Sequence, residues 1–143
     1  MKSPAKLTKL ELARLKERFQ GSNPTRHFNV RLEKAWRGRV ILSMPVQGRH
    51  KQILKTVHGG VLALLVDTAG GLAAFLASPM DARVVTIEMK INFMEAVERG
   101  VLTADAVVLR QGKTVSVVDC SVTDEDERLV SKALMTFAVV PKR

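Results

Sequence analysis

Hydrophobic and polar positions change period several times along this 143-residue chain, and each change marks an element. Near the start, Leu12, Leu15 and Phe19 repeat at i, i+3 and i+7 among charged residues, which predicts a short helix laid on a core by one face. Thr8 and Glu11 have the Ser/Thr-x-x-Glu spacing of a capping box. Leu7 and Leu12 have that of a hydrophobic staple, and Gly21 is a suitable stop, so the helix is expected to begin at Lys9. Asn23-Pro24 opens a connecting turn. Period two then takes over. Val30 to Trp36 and Arg39 to Val46 read as strands joined at Gly38, with Val40, Leu42 and Met44 alternating in the second. A polar, basic loop follows from Gln47 to Thr56. Val84 to Met94 alternates again, with Val85, Ile87, Met89, Ile91 and Phe93 on one face and Thr86, Glu88, Lys90 and Asn92 on the other. Three more strands are expected near Val101–Arg110, Thr114–Thr123 and Leu129–Val140, with turns at Gln111-Gly112-Lys113 and Asp124–Glu127.

One segment has no period. From Val61 to Ala77 nearly every residue is apolar or small, and Ser78-Pro79 ends the run. It falls short of the roughly 20 residues of a membrane span, contains an acid and lies among strands. A helix apolar all round is buried all round. One buried helix and about six strands predict an α+β fold in which a curved antiparallel sheet wraps the helix. Residues 1–23 form a basic arm carrying the short helix, and 24–143 form the domain.

Composition adds constraints. The chain is 46% hydrophobic and 26% charged, a globular balance that excludes disordered and collagen-like readings. The lone Cys120 forms no internal disulfide, and Met1 to Glu11 lacks the apolar core of a secretory signal, so a cytoplasmic location is expected. Three histidines and one cysteine stand at no zinc spacing, and no metal is expected. The net charge of +9 points toward polyanions, but eleven Lys/Arg against three Glu in residues 1–39 hold nearly all of it. A nearly balanced body gives no broad basic stripe, so neither nucleic acid nor membrane is the expected partner. The arm has the charge to meet the phosphates of a smaller ligand.

The candidate chemistry lies on the apolar helix. Asp67 comes two turns after Gly59-Gly60, too late to cap the helix. An unpaired buried carboxylate costs several kcal/mol or so, so Asp67 either bonds to backbone or across a subunit interface, or faces a cleft. His58-Gly59-Gly60 begins the same helix. There the first N–H groups have no intrahelical acceptor, glycine allows close approach and the helix dipole is positive, a setting for an oxyanion or a polarised carbonyl. Equally, the two glycines permit tight entry into the helix.

His58-Gly59-Gly60-Val61 followed by Asp67-Thr68-Ala69-Gly70-Gly71 resembles the acyl-CoA thioesterases of the hotdog superfamily, in the phenylacetate-degradation (PaaI-type) branch. Val85–Phe93 and Arg110–Thr114 continue the likeness over about residues 28–140. The resemblance implies thioester hydrolysis of an aryl or medium-chain acyl-CoA. Asp67 activates water or attacks the carbonyl, and the Gly59 N–H polarises that carbonyl. Thr86 places the water, or is an ordinary strand threonine. Gln52 stands where some members use asparagine for a second polar contact. His58 is a tempting base, but it more simply orients the helix start; His27 and His50 carry only bland readings. The resemblance lays Arg110, Gly112, Lys113 and Thr114 along coenzyme A, with Gly60 and Phe93 near the substrate, although Phe93's alternation suggests core. Arg49, Lys51 and Lys55 offer further phosphate contacts. Coenzyme A belongs to the substrate, and no cofactor is expected. In such enzymes the acid and the glycine of one site come from two subunits, so a homodimer is the minimal unit and a homotetramer the expected assembly. Two rival activities fit the same fold, a non-catalytic acyl-CoA-binding regulator and an enoyl-CoA hydratase.

Overall fold

Each strand and both longer helices form where the periodicities place them, with ends moved by one or two residues. The computed structural model describes residues 4–141. Along the chain run α1 (Lys9–Gln20), α2 (Asn23–His27), β1 (Arg31–Trp36), β2 (Arg39–Pro45), a 3-10 turn at Gly48–His50, α3 (Gly59–Ala77), β3 (Arg83–Phe93), β4 (Val101–Gln111), β5 (Val115–Thr123) and β6 (Leu129–Val140). The expected turn at Asn23-Pro24 is a single helical turn, since proline's fixed φ suits the first helical positions.

The strands make one antiparallel sheet in the order β1-β2-β4-β5-β6-β3, curved around α3. Alternate residues face the helix. Val40, Leu42 and Met44 of β2, Leu102 and Ala106 of β4, Val118 and Val122 of β5, and Met135 and Phe137 of β6 are each at most 1% exposed. Burying each larger side chain contributes about 1.5–3 kcal/mol. α1 packs across the helix side of this core. Both halves of its capping box form: Glu11 N–H donates to Thr8 Oγ1 at 3.2 Å and Thr8 N–H to Glu11 Oε2 at 2.8 Å. Leu15 is fully buried and Phe19 packs against the core, but Leu12 is left 39% exposed, so it does not act as the apolar anchor expected of it. Glu11 turns inward instead and pairs with Arg37.

Two further expectations need correction. First, α3 is not buried all round. Gly60, Leu64, Asp67, Thr68 and Gly71 form a stripe at helical spacing that stays partly accessible. Second, the alternation of β3 breaks. A bulge between Thr86 and Glu88 shifts its register on β6, with Thr86 opposite Phe137 but Glu88 opposite Thr136. The extra residue swaps the faces. Val84 and Thr86 therefore share the helix-facing side with Met89, Ile91 and Phe93, whereas Val85 lies on the outer side with Glu88, Lys90 and Asn92.

Candidate active site

The β3 bulge turns Thr86 toward α3, where its Oγ1–H donates to Asp67 Oδ1 at 2.7 Å. Asp67 is half-buried, and its Oδ2 has no protein partner among the described residues. The two residues share a cleft of about 200 Å³. Thr68, Gly71 and Leu72 of α3 form its floor, and Val84 and Phe137 line it from the sheet. Asp67 thus meets one of the two conditions set by its burial: it faces a cleft, with one oxygen held and the other free.

The start of α3 is a second cleft, of about 320 Å³, lined by Gly59, Leu62, Phe93 and Met94 among others. His58 is the N-cap, and its Nδ1 accepts from Gly60 N–H at 2.8 Å. Its carbonyl accepts from the N–H groups of Val61 and Leu62 at 2.9 and 3.2 Å. The Gly59 N–H is left without an acceptor among the described residues. Phe93 is half-exposed at the end of β3 rather than part of the core, and packs on Gly59. A Cβ at Gly59 would lie 3.3 Å from the ring, so this close approach favours glycine.

Asp67 and Gly59 are eight residues apart on one straight helix, which separates them by about 12 Å. Within one chain the two clefts therefore stay apart.

The other candidates lie elsewhere. Gln52 spends both ends of its amide on its own loop, donating to Thr56 Oγ1 at 2.8 Å and accepting from Leu54 N–H at 2.9 Å. Arg110, Gly112 and Lys113 line a third cleft, of about 730 Å³, at the C-terminal end of α3 with Arg37 and Met80. Gly112 permits the turn there: its N–H donates to Val115 O at 2.8 Å, and a Cβ would lie 2.9 Å from that oxygen. Thr114 is exposed beside it. Arg49 donates to the His27 carbonyl at 2.9 Å, while Lys51 and Lys55 are exposed. Cys120 is buried, and burial, with Asp105 and Asp119 nearby, pushes its thiol up to about 12. It is protonated and no nucleophile. Among the described residues no three His, Cys, Asp or Glu side chains converge as a metal site.

Four residues that the sequence did not nominate complete the Asp67 cleft: Arg18, Phe19, Ser22 and Thr25. They come from α1, α2 and the join between them. Nothing in local periodicity says that the N-terminal helix lies over the middle of α3, so no signal in the sequence could have placed them there.

Comparison with known proteins identifies the family. The thioesterase superfamily model matches residues 54–131. A putative esterase of Saccharolobus solfataricus is 36% identical over 112 residues, 78% of this chain and 76% of that protein. Acyl-coenzyme A thioesterase 13 of Pongo abelii is 32% identical over 78% of this chain and 83% of its own. Among solved structures, the E. coli PaaI protein superposes with a TM-score of 0.86 at 20% identity over 92% of this chain and 94% of its own, a likeness of fold. A Streptococcus mutans protein solved with bound acetyl CoA superposes with a TM-score of 0.75 at 28% identity, over 80% of this chain and 91% of its own.

Proposed function

This chain belongs to the thioesterase superfamily, and from that membership we propose that it hydrolyses acyl-CoA thioesters with Asp67, Thr86 and the Gly59 N–H at the reacting carbonyl. The observation that carries the residue assignment is the Thr86–Asp67 hydrogen bond at the cleft. It ties down one carboxylate oxygen and leaves the other aimed at whatever the cleft admits.

Catalysis then takes one of two routes. In the first, Asp67 Oδ2 takes a proton from water as the water oxygen bonds to the carbonyl carbon. The C–S bond breaks, and the sulfur of coenzyme A leaves with the proton that Asp67 returns. In the second, Oδ2 attacks the carbonyl and expels the thiolate, and water opens the resulting mixed anhydride. Both release the free acid and coenzyme A. The Gly59 N–H holds the carbonyl oxygen as charge develops on it, in the positive end of the α3 dipole. Loss of such a donor costs about 100- to 1,000-fold in rate.

The two half-sites join when two copies meet. β3 is an edge strand that pairs only with β6, and Val85, Ile87 and Phe93 on it are more than half exposed. α3 and β3 run antiparallel, with Asp67 beside Thr86 and Gly59 beside Phe93. Pairing β3 with its own copy about Met89 and Lys90 sets Thr86 opposite Phe93 of the second copy. The same two-fold axis crosses α3 near Ala63 and brings Asp67 to the other copy's Gly59. A homodimer is thus the minimal unit, with a homotetramer as a larger assembly. Arg110 and Lys113 give the coenzyme A phosphates a cationic turn beyond the reacting atoms, and Gln52 braces the loop that leads into α3.

Asp67→Asn tests the assignment, since it keeps the shape and removes the base. Release of free thiol from a panel of aryl- and medium-chain acyl-CoAs should fall by roughly 100-fold or more. Wild-type turnover in this variant would remove Asp67 from the chemistry.

A further inference from the structure

The cleft that holds Asp67 is lined by a cation, Arg18, that has no counter-ion among the described residues. Arg18 and Arg14 stand one turn apart on α1, and each guanidinium carbon lies 4.7 Å from the centre of the Phe75 ring. Like charges at this spacing repel. Arg14 donates only to the sulfur of Met80, at 3.0 Å, and Arg18 makes no hydrogen bond among the described residues. Among the described residues no carboxylate lies within ion-pair distance of either. Phe75 fixes the Arg18 guanidinium by its ring face, which leaves the in-plane N–H donors unused. Arg18 keeps an exposed surface, and its partial burial, and then the neighbouring Arg14 charge, push its pKa down.

The walls between Asp67 and Arg18 are mixed, with Phe19, Phe137 and the bare backbone of Gly71 beside Ser22, Thr25 and Thr68. Asp67 and Gly71 line the cleft at i and i+4 on α3, and Phe75, which carries the Arg18 guanidinium, follows at i+8, about 12 Å along the helix from the acid. A mixed cleft with an exposed guanidinium at its rim, unpaired among the described residues, complements an acyl chain tipped with an anion. We propose that Arg18 receives a carboxylate at the far end of the acyl group, so that the enzyme favours ω-carboxyacyl thioesters over neutral ones of equal length. This rests on the reading of the Asp67 cleft as the acyl side of a thioesterase site. The coenzyme A phosphates are a second source of anion. They leave the thioester from the sulfur side, and the Arg110–Lys113 turn in another cleft offers them cations.

The test compares adipoyl-CoA with hexanoyl-CoA, which have the same number of acyl carbons and differ in charge at the tip. Wild type should favour adipoyl-CoA by about tenfold or more in kcat/KM, the effect of one charge-assisted hydrogen-bonded pair. Arg18→Met should collapse that ratio, and Arg18→Lys should keep part of it. Inhibition by free coenzyme A should hold within about twofold in Arg18→Met, because its phosphates are bound elsewhere. No wild-type preference for adipoyl-CoA overturns the proposal, even if the variants do not fold. A ratio that survives Arg18→Met overturns it, and so does a parallel loss of coenzyme A inhibition, which would assign Arg18 to phosphate. If wild type hydrolyses neither substrate, the thioesterase reading fails on its own. Calorimetric titration of both substrates then decides the Arg18 preference from binding alone.

Discussion

Gly70 and Gly71 are neighbours in one motif and do different jobs. A Cβ on Gly70 would lie 2.4 Å from the buried Met135 methyl, so glycine there lets α3 settle onto β6. A Cβ on Gly71 would meet only Phe137, at 3.6 Å, and would otherwise extend into the Asp67 cleft. Gly70→Ala should therefore lower stability by about 1–3 kcal/mol through overpacking, read as an earlier urea midpoint. Gly71→Ala should keep the midpoint but narrow the cleft, so kcat/KM should fall further for a bulky aryl-CoA than for acetyl-CoA. The sequence identifies both glycines as part of a motif but cannot separate them, because the difference lies in what stands opposite each. His58 was more legible. A histidine just before two glycines at a helix start suggests a cap, and the ring nitrogen accepts from Gly60 N–H.

Most element types and ends could be read from local pattern, because hydrophobic period and capping chemistry act over a few residues. The β3 bulge could not. Strict alternation puts Thr86 opposite the apolar face, and only pairing with β6 shows that one extra residue turns it to Asp67. The loop between β2 and α3 carries a further consequence. His50 is fully buried, its Nδ1 accepts from Gln47 N–H at 3.0 Å, and its carbonyl accepts from His58 N–H at 2.8 Å. Burial lowers its pKa below the ordinary imidazole value; the Phe28 backbone works against this, and the Arg49 and His27 charges reinforce it. The unfolded chain therefore binds a proton more readily than the folded one. This contribution is whole above about pH 6.5, shrinks as pH falls through that value and is lost by the folded pKa. Protonation at Nδ1 also replaces the acceptor for Gln47 N–H with a donor. The thermal midpoint should drop between pH 7.5 and pH 5, and His50→Asn should flatten that drop. An equal drop in the variant would assign the effect to other groups.

At the scale of the molecule, the separation of the acid and the free N–H on one rigid helix argues for a shared site. Mixing supplies the measurement. Asp67→Asn removes the acid, and Gly59→Pro removes the N–H at a first helical position whose backbone suits proline, with the half-exposed Phe93 ring shifting to take the added Cβ. Each variant alone should be inactive. In a hybrid dimer one site collects both defects and the other has neither, so an equal mixture should recover up to about a quarter of wild-type activity after subunit exchange. No recovery in exchanged hybrids, verified by a tag on one chain, would mean that each site is built within one chain. Exposed apolar residues on the β3 edge provide the second handle. Ile87→Lys should shift the protein toward monomer in size-exclusion chromatography and lower activity with it.

The sequence alone determined the element order, the central apolar helix, the α+β class and the motif carrying Asp67 and Gly59, since periodicity, capping and local spacing are written in neighbouring residues. Tertiary structure decided what comes together across long separations. Thr86 reaches Asp67 through a register shift set by β6, the Gly59 N–H is left free because His58 caps its neighbour, and Arg18 enters the cleft because α1 crosses α3. These outcomes depend on which surfaces pack against each other, a global property that no window of the chain contains.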